Sequence, residues 1–106
     1  MVDIDIIFDK LRFEEKALYD SAKKRGLRAQ LIDAKNLTIR TTSKKADLHF
    51  GDIVLQRSVS HFRGLYVTAC LEFVGFRVIN DFKVSQICGN KLVTSLQLAR
   101  NNISVP

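Results

Sequence analysis

The sequence has a single proline, Pro106, and it is the last residue. No Pro-, Gly- or Ser-rich linker, internal repeat or low-complexity tract breaks the chain, so its 106 residues read as one unit. No apolar run approaches the roughly 20 residues that a bilayer-spanning helix needs. Met1-Val2-Asp3-Ile4-Asp5 carries acids where a signal peptide would carry basic residues. The two cysteines, Cys70 and Cys88, lie far apart and in no metal-ligand spacing. Each falls inside an apolar helical pattern, as reduced core cysteines do. A cytoplasmic protein is expected from these three points.

Other absences exclude chemistries. The first strand-to-helix turn, Asp9-Lys10-Leu11-Arg12, has no glycine, so its backbone cannot approach a pyrophosphate as in a dinucleotide fold. No Walker A loop is present. Arg57 stands where a response-regulator receiver carries an aspartate at the end of its third strand. His49 and His61 are isolated from one another and make no metal site. Ser58, Ser60 and His61 are neighbours in sequence, but no orienting acid accompanies them, so hydrolase chemistry is not expected.

What remains is a globular composition, with 46% hydrophobic and 26% charged residues. The formal net charge is +6, supplied in large part by Lys23-Lys24-Arg25, Arg28, Lys44-Lys45, Arg57 and Arg63. Charge of this size speeds encounter with acidic partners. It does not point to nucleic acid, because no aromatic residues alternate with the basic ones as a stacking platform requires.

Val2 to Phe8 is rich in isoleucine and valine and predicts a strand. Phe13, Ala17, Leu18 and Ala22 are spaced as on a helix running to Arg25. That helix has Glu14 and Glu15 in its first turn, basic residues in its last and Gly26 as its stop. Arg28 to Ile32 predicts a second strand. Ala34 to Phe50 is polar and irregular, with a short extended piece at Leu37-Thr38-Ile39. Ile53 to Gln56 predicts a third strand. The following helix is capped by Ser60 or Ser58 and runs to Val74, before Gly75. Phe76 to Ile79 predicts a fourth strand. Val84 to Cys88 is a short helix. Lys91 to Asn101 is a last helix, with Leu92, Ser95, Leu96 and Ala99 on one face.

Strands alternating with helices give right-handed crossovers and a parallel sheet. The expected fold class is α/β: a small, doubly wound, mostly parallel four-stranded sheet with helices on both faces, Rossmann-like. Ligands of such sheets gather at the C-terminal ends of the strands. That edge would hold Asp9 to Arg12, Asp33 to Asn36, Arg57 to Gly64 and Asn80 to Lys83. Within it, Arg57, Ser58, Ser60, His61 and Arg63 form the densest polar cluster, at a helix start with backbone N–H groups expected to be free. Such a cluster suits a carboxylate, a phosphate or a neighbouring lobe. It equally suits capping and salt bridges that close the helix start.

Three segments carry a family resemblance: Arg57-Ser58-Val59-Ser60-His61-Phe62-Arg63-Gly64-Leu65, Val78-Ile79-Asn80, and Val84-Ser85-Gln86-Ile87-Cys88-Gly89-Asn90-Lys91-Leu92-Val93-Thr94-Ser95. With the opening Asp9-Lys10-Leu11-Arg12-Phe13-Glu14-Glu15-Lys16, the chain resembles the N-terminal, pre-ATP-grasp lobe of the LysX/RimK family of ATP-grasp ligases over essentially its whole length. The resemblance implies ATP and Mg²⁺ as cofactors of a complete enzyme, which activates a carboxylate as an acyl phosphate for attack by an amine. It implies as partners an acidic amino-group carrier protein (LysW-like), an amino-acid substrate (α-aminoadipate or glutamate), the ATP-grasp lobes, and further copies in a homo-oligomer. Lys91 matches the family lysine that reaches the nucleotide, although Asn90 stands where the family commonly has aspartate. Arg57, Ser58, Ser60, His61 and Arg63 would contact substrate or partner. Residues 1–106 would be a single N-terminal domain without the central and C-terminal lobes, inactive alone. The alternative is a stand-alone α/β module that docks an acidic protein.

Overall fold

A computed structural model describes residues 2–105. The elements run in the order β1 (Ile4–Phe8), α1 (Phe13–Lys24), β2 (Ala29–Asp33), β3 (Ile53–Gln56), α2 (His61–Val74), β4 (Val78–Ile79), α3 (Phe82–Cys88) and α4 (Lys91–Arg100). Two single 3₁₀ turns, Ala34–Asn36 and Lys45–Asp47, punctuate the segment between β2 and β3. The four strands form one sheet in the order β2-β1-β3-β4, and every pairing is parallel. The expected α/β architecture is therefore observed.

Alternation along β1 explains both faces of the sheet. Ile7 is fully buried in a cluster with Val54, Leu71 of α2, Phe76 and Val78. Ile39, Leu48 and Phe50 of the β2–β3 connection pack against that cluster. Ile6 points the other way and is also fully buried, on the face where α1 packs against β1 and β2. An aliphatic strand buried on both faces is what a central parallel strand requires.

Several boundaries differ from the sequence reading. The fourth strand shrinks to Val78–Ile79. Leu37-Thr38-Ile39 joins no sheet, and Ile39 serves instead as a core side chain. The α3 helix starts at Phe82 rather than Val84, because the Asp81 carboxylate accepts from the Val84 N–H at 2.8 Å and caps it. The α2 helix stops where expected, since Gly75 adopts φ 113°, a left-handed conformation that side chains disfavour.

Both cysteines are exposed, which corrects their assignment to the core. The inward face of α2 is Gly64, Leu65, Thr68 and Leu71, and Cys70 falls outside that arc. The expected apolar face of α4 is likewise turned to solvent, with Leu92 at 68% and Leu96 at 60% exposure. Val93, Thr94, Ser95 and Leu98 are the half-buried residues of that helix, so of the expected face only Ser95 turns inward.

Candidate functional site

Because all four strands are parallel, Phe8, Asp33, Gln56 and Ile79 end at one rim, as the sequence reading placed them. The organiser of that rim is Asp9, the first residue after β1. Its carboxylate is 4% exposed. Oδ1 accepts from the Val59 N–H at 2.7 Å, and Oδ2 accepts from the Ser60 N–H at 3.0 Å and from Arg63 Nη1 at 3.0 Å. Burial pushes this carboxyl up, but the two backbone donors and the guanidinium outweigh it and hold the group below the usual aspartate range.

This arrangement ties down the segment that leads into α2, while the N–H groups of His61, Phe62 and Arg63 in the first turn have no acceptor among the described residues, as the sequence reading expected. Ser60 occupies the N-cap position, yet its hydroxyl makes no capping bond. Asp9 instead holds the two residues before the helix, accepting from Ser60 and from Val59, 50 residues away. The Ser58 N–H is taken by Gln56 Oε1 at 3.1 Å, and the Arg57 N–H by the Ile7 carbonyl at 2.8 Å. The segment that leads into α2 is thus held by an anion from within the chain, and the first-turn donors of the helix stay open. A sequence-level signal existed: an aspartate directly after a buried first strand lies beside the next parallel strand's C-terminal loop.

The other predicted residues divide into two sets. Arg57 is half-buried, and its Nε is buried without a partner, as is the Ser58 hydroxyl oxygen. Arg57 lies near the buried Glu15, whose carboxylate is held below the usual range first by its hydrogen bond to Arg12 and least by the Arg57 charge. Arg12 grips that carboxylate through both Nε and Nη2, and the Glu15 side chain is fully buried. Sequence reasoning placed Glu15 in the first turn of α1 as an acid matching the helix dipole.

His61 connects the rim to the last two helices. The Cε1 edge of its imidazole lies against Gly89, where a Cβ would sit 1.9 Å from that atom. The approach is possible only because residue 89 has no side chain. His61 also meets Phe62 edge-on, with ring centroids 5.1 Å apart. Two residues beyond Gly89, Lys91 opens α4, exposed and without a salt-bridge partner among the described residues. Asn90 caps that helix by accepting from the Val93 N–H at 3.0 Å. An aspartate there would do the same, so the Asn90 departure leaves the helix start intact. The structure therefore brings together Arg57, Ser58, Ser60, His61 and Arg63, and joins Lys91 to them through the His61–Gly89 contact.

A divalent cation finds no donor set here. Among the described residues no group of three His, Cys, Asp or Glu side chains could hold a metal ion. The rim offers a nucleotide several cations, Lys91 beside them, and no glycine-rich cradle. Nor is any helix among the described residues long and apolar enough to cross a membrane.

Comparison with known proteins gives these features a context. The family model of the LysX preATP-grasp domain matches residues 4–87. The chain is 38% identical over 95 residues to the α-aminoadipate–LysW ligase LysX of Saccharolobus solfataricus, covering 90% of this chain and 34% of that protein. It is 31% identical over 101 residues to the glutamate–LysW ligase ArgX of Sulfurisphaera tokodaii, covering 95% of this chain and 35% of that protein. The chain thus spans about a third of the length of the curated relatives it matches. A RimK-domain ATP-grasp protein from Sphaerobacter thermophilus shares the fold, with a TM-score of 0.77 at 20% identity over 99% of this chain and 39% of that one.

Proposed function

Since the chain belongs to the LysX preATP-grasp domain family, we propose that it serves as the N-terminal lobe of a cytoplasmic, ATP-dependent ligase that joins an amino acid to a LysW-like carrier protein. The amine is α-aminoadipate or glutamate, the substrates named for its relatives. Its partners are that acidic carrier, the amino acid, ATP-grasp lobes that supply the ATP and Mg²⁺ chemistry, and further copies of itself. The observation that carries the reading is the family match over residues 4–87 on a fold whose rim joins the Arg57–Gly64 segment to Lys91.

The physical division of labour follows from the rim. Asp9 fixes the α2 start, so Arg57 and Lys91 are presented from ordered elements rather than from a loose loop. Arg57, half-buried and without a salt-bridge partner among the described residues, suits a carboxylate of substrate or carrier. Lys91, at the start of α4, suits a phosphate. The solvent-facing Leu92 and Leu96 offer an apolar seat for an adjoining lobe. The metal donors and acyl-phosphate chemistry belong to those lobes, so the 106-residue chain alone has no ligase activity.

The test combines the chain with central and C-terminal lobes of a LysX relative, and follows carrier mass after adding ATP, Mg²⁺ and α-aminoadipate or glutamate. A gain of one amino-acid residue on the carrier, lost in Arg57→Ala and Lys91→Ala, is the expected result. Full activity in both variants would overturn the site assignment. Retention of the acidic carrier by the chain, with no product under any combination of lobes, would favour the stand-alone docking module.

A further inference from the structure

Alternation along β3 divides the rim into two sides. Val54 belongs to the cluster around Leu71, and Gln56 bonds Thr68, so both face α2. Leu55 and Arg57 therefore point to the opposite face, which carries α1. The ladder holds as far as Arg57, whose N–H donates to the Ile7 carbonyl. On the α1 face, Leu31, Ile6, Leu55 and Ile79 form one row across the four strands. The α1 helix packs against β1 and β2, so the far end of this row lies beyond its edge. Leu55 is half-buried there and Ile79 is 41% exposed. Arg57 stands two residues above Leu55, toward the rim.

Charge separates Arg57 from the other rim arginines. Arg63 is paired with Asp9, and Arg12 with Glu15. The Arg57 guanidinium has no such partner among the described residues. Its Nε is buried, whereas its two Nη atoms reach solvent. Glu15 is an inward residue of α1 with a fully buried side chain, and Arg57 lies near its carboxylate. One buried acid thus offsets one of two guanidinium charges, Arg12 and Arg57. A single negative charge balances what is left, and a dianion exceeds it.

We propose that Arg57, with Leu55 and Ile79 beneath it, forms a subsite for an aliphatic carboxylate on the α1 side of the rim, and that Glu15 is the positioning residue that sets its preference for one charge over two. The ligand's two oxygens accept from the two Nη atoms in parallel, and its carbon chain runs down onto Leu55 and Ile79. The inference rests on the role given to Arg57 above. It adds the side of the sheet, the apolar floor and the residue that governs selectivity.

Nuclear magnetic resonance titration of the chain with butyrate, acetate and sulfate at constant ionic strength tests this, read at the Arg57 Nε–H and the Ile79 methyl groups. Butyrate should shift both signals and saturate. A fully buried methylene is worth about fourfold in affinity, so butyrate's two extra methylenes, covered on one side, should bind about fourfold tighter than acetate. Ile79→Thr, a surface change, should erase that advantage, and Arg57→Gln should abolish the methyl shift. Glu15→Gln should raise the affinity for sulfate relative to butyrate by at least about fivefold, because it removes the offsetting charge. A purely structural Glu15 would leave that ratio unchanged, which would overturn its role. No saturating shift with butyrate up to about 100 mM would overturn the subsite. So would equal binding of butyrate and acetate, a result that Ile79→Thr cannot alter. Because the probes bind the chain itself, loss of this subsite would leave the ligase reading standing, and an inactive reconstituted ligase would leave the subsite standing.

Discussion

Removing the Asp9 carboxylate tests the central feature of the rim. In Asp9→Ala the Val59 and Ser60 N–H groups and one Arg63 nitrogen lose their acceptor together. A hydrogen bond to a charged group contributes about 1.5–3 kcal/mol. The contacts share one carboxylate and do not add in full, and the Arg63 side chain, 43% exposed, contributes little. We expect a loss of about 3 kcal/mol. With a urea m-value of about 1.5 kcal/mol/M, the midpoint falls by about 2 M. Asp9→Asn should lose about 2 kcal/mol, because its amide keeps one acceptor but turns a donor toward a second donor. Acetate should restore part of the Asp9→Ala loss by occupying the vacated position. Asp9 stabilises the fold above its unfolded-state pKa, and that contribution is lost as pH falls through its depressed folded value. Both variants should therefore show a flatter acid limb. A drop under about 0.5 kcal/mol in Asp9→Ala, the range of an ordinary surface substitution, would refute the reasoning.

Gly89→Ala should cost about 1–2 kcal/mol by driving the His61 ring off its seat, and His61→Ala/Gly89→Ala should recover most of that in a denaturation cycle. Asp5 behaves oppositely to Asp9: it is fully buried, accepts from the Gly51 N–H and Gln30 Nε2, and burial raises its pKa. Its ionisation therefore costs stability as pH rises from its unfolded toward its folded value, so Asp5→Asn should gain on the parent protein between pH 4 and pH 7 in urea titrations. Arg12→Ala strands the buried Glu15 carboxylate, and its urea midpoint should fall further than that of Arg28→Ala, whose partner Asp3 is partly hydrated. Equal midpoints for those two would contradict the burial argument.

The sheet was legible because its strands are short apolar runs between turn signals, and Gly75 marks the end of α2 as a left-handed stop. The rim was legible as a place, since parallel topology puts the loops after β1, β2, β3 and β4 together. Its wiring was not. That Asp9 holds the segment before α2, 50 residues away, is a contact between distant loops: the topology sets the two loops side by side, and packing sets the individual bonds. The same holds for Glu15, which reads as a helix-dipole acid and turns out to be a buried ion-pair member. Cys70 misled for another reason: apolarity on both sides of α2 made every position look inward, and only the packing of Leu65, Thr68 and Leu71 shows which side faces the sheet. The resemblance supplied what composition could not, because a ligase lobe without metal donors carries no chemical signature of its own.

The contact between His61 and Gly89 gives the molecule a clasp. Because that contact joins the turn before α4 to the first residue of α2, the position of Lys91 is tied to the rim, and a bulkier residue at position 89 would have to displace the imidazole or the turn that carries the lysine.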